Sequence, residues 1–489
     1  MTVCVLHAAA EMFPLLKTGG LADVVGALPP AQSQLGTHAR VVLPGFPAVL
    51  AGLTDLQPVA DLGSAFGVGE VRLERGVLQP HGVIVYAVRA DSFYDRPGNP
   101  YLDSAHRPYP DNDRRFALLG WAAARIAFGA DPAWRPHIVH AHDWHAGLAP
   151  AYLRAFARGG APKTRIASVM TVHNLAYQGT FPASEFGALQ LPGDFYAVEG
   201  VEFYGHVSFL KAGLYYADRI TTVSPTYARE IQTQAHGAGL HGLLQTRTHD
   251  ITGILNGVDY SIWSPSVDAS IASKYTTAKP SAKSKCKTAL QERMGLSQDD
   301  DALLFGVVSR LTEQKGLDLL LSAVPDIVQR GGQLVVLGTG DPALETGMKN
   351  AAAAHPGLVA VELGFDETLS HSIIAGSDIV MVPSRFEPCG LTQLYALAYG
   401  APPLVHRVGG LADTVVDCSL ENLAEDLATG FVFDNFDRAG IGGAIRRAFA
   451  LKARRSEWKT VVKRAMSQNF GWEAAALKYA EVYEGLIGP

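Results

Sequence analysis

Short apolar and β-branched runs alternate with helix-like stretches along most of the chain. Strands that are apolar at every position and lie between helices are typical of parallel sheets buried on both faces, so this alternation predicts an α/β fold. The predicted strands form two sets along the chain. The first set is Val3–Leu6, Arg40–Leu43, Val83–Ala87, His137–His140, Ile166–Val172, Arg219–Val223 and Ile251–Leu255, and the second is Leu303–Val308, Gln333–Leu337, Leu358–Leu363, Asp378–Val382 and Pro403–His406.

The stretch between the two sets, Tyr260–Ser297, is rich in Ser, Ala, Lys and Pro and has no clear strand pattern. We interpret it as a linker followed by a helix that enters the second half of the chain. The pattern therefore predicts two doubly wound domains of similar size that face a central cleft. Ligands are expected at the carboxyl ends of the strands that face this cleft.

The last stretch, Gly471–Ile487, has the pattern of an amphipathic helix. Its larger apolar residues recur with a helical spacing and would share one face. We expect this helix to pack on a domain surface. The residues of this face are Trp472, Ala476, Tyr479, Tyr483 and Ile487.

The composition is ordinary for a soluble globular protein, since 48% of the 489 residues are hydrophobic and 18% are charged. A net charge of -6 without a Lys- or Arg-rich run argues against nucleic acid as the main partner. The four cysteines are far apart, which favours reduced thiols over a disulfide framework. Neither a signal-peptide pattern nor a membrane-spanning stretch of about 20 apolar residues is present, so we expect a cytoplasmic protein with no membrane partner.

The first motif with candidate chemistry is KTGGLAD, which follows the first predicted strand. Gly19 and Gly20 precede a helix, so backbone N–H groups there can approach an anion with the help of the helix dipole. Lys17 adds a positive charge. The alternative is a plain strand-to-helix turn with an exposed lysine.

A second motif, SRLTEQKG, follows the first strand of the second set. Arg310 and Lys315 in this motif can neutralise a diphosphate leaving group. Two solvated surface cations are the alternative interpretation.

The third motif, PSRFEPCGLT, follows the predicted strand Asp378–Val382. Glu387 is expected to project from the strand end, where its carboxylate can bind sugar hydroxyls. The backbone of Gly390, Leu391 and Thr392 begins a helix and offers donors to phosphate or sugar oxygens. A capped helix start with a surface glutamate is the alternative.

Two strand ends are rich in histidine, in the motifs HAHDWH and TVHNLAY. A His-x-His-Asp sequence suggests metal ligands at first sight. Two arguments speak against a metal. Adjacent residues of a strand point to opposite faces, so they would not bind one ion together, and Lys and Arg side chains are already available to bind phosphate. We therefore expect no metal, and we expect His173 to line a sugar site.

Seven motifs together resemble those of bacterial glycogen synthases, with the closest similarity to the enterobacterial type. The resemblance runs from the first strand to the last helix in the same order and spacing. The motifs are KTGGLADV (17–24), HAHDWHAGLAP (140–150), TVHNLAYQG (171–179), VSPTYAREI (223–231), LNGVD (255–259), VSRLTEQKG (308–316) and PSRFEPCGLTQLYA (383–396).

The resemblance implies the GT-B fold, in which two Rossmann-like doubly wound domains close over a nucleotide sugar. Residues 1–257 would form the N-terminal domain, on the acceptor side and with part of the donor site. Residues 258–470 would form the domain that binds the nucleotide sugar, and residues 471–489 a C-terminal helix that packs back on the first domain.

The resemblance also implies roles for individual residues. Lys17, His173, Arg310, Lys315 and Glu387 match the family's catalytic positions: Lys17 contacts the donor, Arg310 and Lys315 stabilise the diphosphate, and His173 and Glu387 contact the transferred glucose. The further positions that would bind donor or acceptor are Thr18, Gly19, Gly20, Asp23, Tyr101, Asp143, Asn174, Asn256, Cys389, Gly390, Leu391 and Thr392.

The activity implied is retaining transfer of glucose from ADP-glucose to the non-reducing end of an α-1,4-glucan, without a cofactor. Many retaining GT-B enzymes carry Glu-x7-Glu, but the position eight residues after Glu387 is Tyr395. A second carboxylate that holds the ribose is therefore not expected. Glycosidases usually place two carboxylates about the reacting bond, and the sequence shows no convincing second one here, so we expect no stable covalent glucosyl-enzyme. Alternatives are a UDP-glucose-preferring synthase, a phosphorylase, a non-catalytic glucan-binding protein and a periplasmic binding protein; the missing pyridoxal-phosphate context and signal peptide speak against a phosphorylase and a periplasmic protein, respectively.

Overall fold

The computed structural model describes residues 2–160 and 165–487. Within this part, the chain divides into two compact units. The N-terminal unit takes in the described residues of Met1–Gly257 and of Trp472–Pro489, and the C-terminal unit is Val258–Gly471.

The strands of the N-terminal unit alternate with helices over most of its length, as the sequence predicts. Each predicted strand overlaps an observed one. The strands are β1 (Cys4–Ala8), β2 (His38–Pro44), β3 (Thr54–Ala65), β4 (Val68–Leu78), β5 (Val83–Arg89), β6 (Ile138–His142), β7 (Ala167–Val172), β8 (Thr180–Pro182), β9 (Glu202–Phe203), β10 (His206–Ser208), β11 (Arg219–Thr222) and β12 (Ile251–Gly253). The helices are α1 (Gly20–Gln34), α2 (Pro47–Gly52), α3 (Asp91–Tyr94), α4 (Asn112–Arg125), α5 (Asp143–Ala146), α6 (Ala149–Arg158), α7 (Phe209–Tyr216), α8 (Pro225–Glu230) and α9 (His241–Thr246).

The main sheet of this unit joins nine of its described strands in the order β12-β11-β7-β6-β1-β2-β5-β4-β3. The order reverses between β1 and β6, which pair in parallel. Ligands of doubly wound folds bind at such a switch point, outside the carboxyl ends of the strands.

The sheet is mixed, whereas the sequence predicted parallel strands buried on both faces. β3 and β4 form an antiparallel hairpin, and β4 also pairs antiparallel with β5. Most of β3 is exposed, so it lacks the continuous apolar run from which strands were predicted. The two-residue connection Phe66–Gly67 has positive φ at both positions, which suits a tight hairpin turn.

The C-terminal unit has a six-stranded sheet in the described chain, and all its strand pairs are parallel. Its last strand was not predicted. The strands are β13 (Leu304–Val308), β14 (Gln333–Gly338), β15 (Val359–Leu363), β16 (Ile379–Val382), β17 (Pro403–His406) and β18 (Phe431–Phe433). The helices are α10 (Lys283–Arg293), α11 (Leu317–Val328), α12 (Pro342–Ala354), α13 (Glu367–Gly376), α14 (Thr392–Ala398), α15 (Gly409–Thr414), α16 (Leu420–Ala424), α17 (Arg438–Ala453) and α18 (Arg455–Met466).

The order of this sheet, β15-β14-β13-β16-β17-β18, is the 3-2-1-4-5-6 order of the Rossmann fold. Its switch point lies between β13 and β16. The predicted linker is wrong in its first half, because Trp263, Ile271 and Tyr275 are buried in the core of this unit. The entry helix that was predicted after it is α10.

The final helix, α19 (Trp472–Ile487), belongs to the N-terminal unit, where it packs against α1. Trp472, Ala476, Tyr479 and Tyr483 are buried on one face, as their spacing predicts. Among the helices of the described residues, none combines the length and the apolar character that a membrane crossing needs.

Candidate functional site

The predicted site residues of the N-terminal unit gather mostly at its switch point. The loop with Lys17 follows β1, Asp143 follows β6 and His173 follows β7, and these three strands are neighbours in the sheet. Asn256 follows β12 at the sheet edge, with β11 between β12 and β7. The side chain of Asn256 is buried, and its Oδ1 has no hydrogen-bond partner among the described residues.

A carboxylate that the sequence did not single out, that of Glu11, holds the glycine-rich loop. Thr18 donates its backbone N–H and its hydroxyl to Glu11, and Gly19 donates its N–H over 3.2 Å. The hydroxyl of Tyr101 donates to the same carboxylate over 2.6 Å. Glu11 is 3% exposed, so the glycine-rich loop is held by a buried carboxyl group.

The loop still leaves room on its outer side. A Cβ atom added at Gly19 or Gly20 would meet no atom within 4 Å. Lys17 Nζ lies 2.9 Å from Asp23 Oδ1 in a partly exposed ion pair. A phosphate that displaced Asp23 would find a positive charge and the start of α1 in one place.

Asp143 orients the end of β7. Its backbone has a φ of 54°, which is uncommon outside glycine but is tolerated by Asp. Its Oδ1 accepts the N–H of His173 over 2.8 Å and that of Asn174 over 3.4 Å. Burial raises the pKa of Asp143 to about 7, although these two backbone donors oppose the shift.

His173 ends a chain of histidines in the interior of the unit. His7 Nδ1 lies 3.0 Å from His142 Nε2, and His142 Nδ1 lies 3.0 Å from His173 Nε2. Burial lowers the pKa of His173 to about 3 and that of His7 to about 4. These rings are therefore neutral at physiological pH and bind as hydrogen-bonding groups.

His7, His140 and His142 bring ring nitrogens within 4.8 Å of one another, and His is a common zinc ligand. The argument from opposite strand faces is wrong for His140 and His142. They are two residues apart, share a face and stack at 4.2 Å. All six nitrogens of the three rings already have hydrogen-bond partners, which favours a hydrogen-bonded chain over a metal site.

His145 was quoted within a motif but not predicted as a site residue. Its ring stacks on that of Tyr101 at 4.7 Å, next to the Glu11 carboxylate. Burial lowers the pKa of His145 to about 3 and raises that of Tyr101 well above its usual value. Both side chains are therefore neutral.

At the switch point of the C-terminal unit, two predicted catalytic residues bind each other. Lys315 follows β13, Glu387 follows β16, and Lys315 Nζ lies 2.6 Å from Glu387 Oε2. Ser384, which was not predicted, donates its hydroxyl to the same oxygen over 2.9 Å. Glu387 is only 6% exposed. The carboxylate that was predicted at this strand end is therefore buried and paired with Lys315.

Glycines make the two loops of this pair fit together. Gly316 has a φ of 71°, and a Cβ atom there would collide with the carbonyl oxygen of Pro383. Gly390 also has a positive φ, of 72°. The side chain of Gln393 donates to the carbonyl oxygens of Cys389 and Gly390 and so fixes this turn.

The other predicted residues of the C-terminal unit lie around the pair. Arg310 is exposed two residues after the end of β13. Cys389 is buried, whereas Gly390, Leu391 and Thr392 are half-buried at the start of α14. Tyr395, which stands where a second carboxylate would be, stacks on Trp263 at 4.0 Å with an interplanar angle of 4°.

The residues missed from the sequence are those that support the predicted ones. Ser384 lies inside a quoted motif, three residues before Glu387, and a polar side chain at that spacing was an available signal. Glu11 and His7 stand in no quoted motif, and their roles follow from strand order. A single sequence contains no pattern that would identify Glu11 or His7 as a supporting residue.

Two family models match parts of this chain. Residues 4–246 match the family model described as the starch synthase catalytic domain, and residues 291–464 match glycosyl transferases group 1. The chain is 55% identical over 484 residues to the glycogen synthase of Francisella tularensis subsp. novicida strain U112, covering 99% of each chain.

Two solved structures are similar over the whole length. One is the catalytic domain of starch synthase IV from Arabidopsis thaliana bound to ADP and acarbose, with 31% identity, a TM-score of 0.89 and 100% of each chain covered. The other is sucrose-phosphate synthase from Thermosynechococcus elongatus, with 19% identity, a TM-score of 0.57 and 99% of each chain covered, which bears on the fold alone. The predicted GT-B fold is confirmed. The chain matches the starch synthase catalytic domain and belongs to the bacterial glycogen synthase family.

Proposed function

We propose that this chain is a retaining glucosyltransferase that moves glucose from ADP-glucose to the non-reducing end of an α-1,4-glucan. The observation that carries the proposal is the pair of Lys315 and Glu387 at the switch point of the C-terminal sheet, where doubly wound folds bind nucleotides. The ADP and acarbose bound to the Arabidopsis relative support a nucleotide donor and a glucan acceptor.

The reaction needs positive charge where ADP departs. The bond between glucose C1 and the diphosphate oxygen breaks, and a bond forms between C1 and the acceptor hydroxyl oxygen. Fixed donors aimed at the developing negative charge lower this barrier. We assign that role to Lys17, Arg310, Lys315 and the backbone amides of Gly390–Thr392, and the departing phosphate takes the acceptor's proton.

The sugar itself needs a polar setting because its ring gains positive character. Glu387 supplies a carboxylate for the sugar hydroxyls, and its pairing with Lys315 holds that carboxylate in one orientation. His173 and Asn256 supply neutral hydrogen-bonding groups. We further assign Thr18, Gly19, Gly20, Asp23, Tyr101, Asp143, Asn174 and Cys389 to the surroundings of donor and acceptor.

Retention follows from attack on the face that the diphosphate leaves. A double displacement would need a second carboxylate on the opposite face of the sugar, as in retaining glycosidases. Among Glu387, His173 and Asn256, which we assign to the transferred glucose, only Glu387 carries a carboxylate. We therefore propose a reaction without a covalent glucosyl-enzyme.

The setting proposed for this reaction is the cytoplasm, without a nucleic-acid or membrane partner. All four cysteines, each in the described part of the chain, are free thiols. Free, mostly buried thiols support a reducing compartment.

A donor comparison tests the proposal. The protein is given a glycogen primer with radiolabelled ADP-glucose or UDP-glucose, and label in the glucan is measured. We expect a clear preference for ADP-glucose. A preference for UDP-glucose would overturn the donor assignment and keep the transferase, whereas no transfer from either donor would leave a non-catalytic glucan-binding protein.

A further inference from the structure

A buried hydrogen-bond network in the N-terminal unit begins at Gln32 on α1 and reaches His173 at the end of β7. Gln32 Oε1 lies 2.8 Å from His7 Nε2, and His7 Nδ1 lies 3.0 Å from His142 Nε2. His142 Nδ1 lies 3.0 Å from His173 Nε2. Gln32, His7 and His142 are at most 1% exposed, so solvent cannot replace any of these contacts.

The position of each proton follows from Gln32. A neutral imidazole has one N–H donor and one bare acceptor nitrogen. Because the Gln32 oxygen only accepts, His7 carries its hydrogen on Nε2 and accepts at Nδ1. His142 must then donate from Nε2 and accept at Nδ1, and His173 must donate from Nε2.

The three rings are neutral because they are buried. Burial lowers the pKa of His7 to about 4 and of His173 to about 3, and it holds that of His142 well below its usual value. Each ring therefore carries a single hydrogen at neutral pH. The hydrogen of His173 lies on Nε2, which leaves its Nδ1 bare.

A second branch begins at the other end of the Gln32 amide. Its Nε2 donates to the hydroxyl of Tyr483 on α19 over 2.9 Å. That hydroxyl then donates to His140 Nδ1 over 2.7 Å, and His140 Nε2 donates to Thr171 Oγ1. Both branches run outward from the two ends of one amide. Turning that amide over would require every proton in both branches to move.

We propose that Gln32 is a positioning residue that fixes the tautomer of His173, so that the bare Nδ1 accepts a hydrogen bond from a hydroxyl of the transferred sugar. This inference rests on the proposed function for the presence of a sugar at His173. In the described chain no hydrogen bond reaches His173 Nδ1, and the residue is partly exposed. Gln32 contacts neither the reacting atoms nor His173, and it acts through two intervening rings.

The tautomer is read by nitrogen-15 NMR of the full chain labelled at histidine, without substrate. The signals of His173 are assigned by their loss in His173→Gln. We expect a protonated Nε2 and an unprotonated Nδ1. A hydrogen on Nδ1 of His173 in the unsubstituted protein would overturn the proposal.

Substitution of Gln32 supplies the causal test. In Gln32→Met, which removes both ends of the amide, we expect a mixture of His173 tautomers. We expect kcat to fall about tenfold, the worth of one hydrogen bond, with the KM for ADP-glucose within about twofold of the original. An unchanged tautomer in Gln32→Met would overturn the proposal.

Gln291→Met is the matched control. Gln291 is a fully buried glutamine of the C-terminal unit whose amide donates to Asp299 O and Gln333 Oε1. The control substitution should lower the stability of the protein without changing the His173 tautomer or kcat. A loss of kcat equal to that in Gln32→Met would overturn the proposal.

If Gln32→Met does not fold, Tyr483→Phe replaces it. This variant frees the amide of Gln32 to turn, so a mixture of tautomers is again expected, and one unchanged tautomer would contradict the proposal. Failure of the proposed function is distinguishable, because it would abolish glucose transfer in the unsubstituted protein while the NMR result stood.

Discussion

The two units place histidine in opposite electrostatic settings. In the N-terminal unit, the rings of His7, His142 and His173 face one another, and burial lowers their pKa values. In the C-terminal unit, burial also acts to lower the pKa of His371, but carboxylates at Glu367 and Asp268 reverse the shift and raise it. Burial thus favours the neutral form of a histidine that lacks an opposite charge, and a carboxylate partner favours the charged form.

The switch points differ in the same way. The buried Glu387 forms an ion pair with the partly exposed Lys315 at 2.6 Å, whereas His173 of the N-terminal unit is neutral. A buried charge needs an opposite charge and hydrogen bonds, which Glu387 receives from Lys315 and Ser384. In the proposed reaction, Lys315 would act on the charge of the leaving group, and the neutral His173 would act on a sugar hydroxyl.

The largest expected effect is on acid stability. The lowered pKa values of the N-terminal histidines stabilise the folded state above about pH 6.5, and this stability is lost as pH falls towards about 4. At pH 5 the loss is about 2 kcal/mol for each such histidine. The raised pKa of Asp143, about 7, acts in the opposite sense, because its stabilisation is present below about pH 4 and is lost as pH rises through 7. Several histidines outweigh this one carboxyl group.

Limited proteolysis in urea at pH 7.5 and pH 5.0, with fragments assigned by mass spectrometry, measures this difference. We expect the change from pH 7.5 to pH 5.0 to lower the urea concentration at which the N-terminal unit is cleaved by more than it lowers that for the C-terminal unit. The raised pKa of His371 gives stability below about pH 6.5 that is lost as pH rises. Earlier cleavage of the C-terminal unit than of the N-terminal unit at pH 5.0 would contradict the proposed difference between their histidines.

The next effect is on catalysis. Lys315→Ala should lower kcat about 100- to 1000-fold, as expected for removal of a group that stabilises charge in the transition state. Initial rates of glucose incorporation from ADP-glucose measure it. Lys287→Ala is the matched control, because Lys287 forms a buried pair with Asp378 over 2.9 Å in the same unit. It should destabilise the fold and leave kcat of the folded enzyme nearly unchanged, and equal losses of kcat would contradict the role of Lys315.

The smallest effect concerns the loop that Glu11 holds. Tyr101→Phe removes one hydrogen bond to Glu11, worth about 1 kcal/mol. The KM for ADP-glucose should rise about fivefold, with a smaller change in kcat. Tyr86→Phe is the control, since Tyr86 donates to Asp131 over the same 2.6 Å. A rise in KM of the same size in both variants would refute a specific role of the loop.

The sequence predicted the parallel strands other than β18, and the final helix, because their apolar patterns are strong. It missed the β3–β4 hairpin because Thr54–Ala65 is mostly exposed and lacks an apolar run. It misread the start of the C-terminal unit because the apolar residues there follow neither a strand nor a helix pattern, yet tertiary packing buries Trp263 and Tyr275.

The sequence predicted candidate site residues one by one, but it did not predict the contacts between their side chains. Lys315 and Glu387 stand 72 positions apart, and their pairing depends on β13 and β16 being neighbours. The same holds for Gln32 and Tyr483, which meet through the packing of α1 on α19. Local motifs reveal residue types, whereas strand order and helix packing decide which of them meet.

The central claim is that Lys315 stabilises the charge that develops on the departing diphosphate. Calorimetric titration of ADP and of ADP-glucose, without a glucan, tests it directly in the original protein and in Lys315→Ala. ADP carries one more negative charge on its terminal phosphate than ADP-glucose does. We expect the substitution to weaken ADP binding at least about fivefold more than ADP-glucose binding. An equal loss for both ligands would contradict the claim.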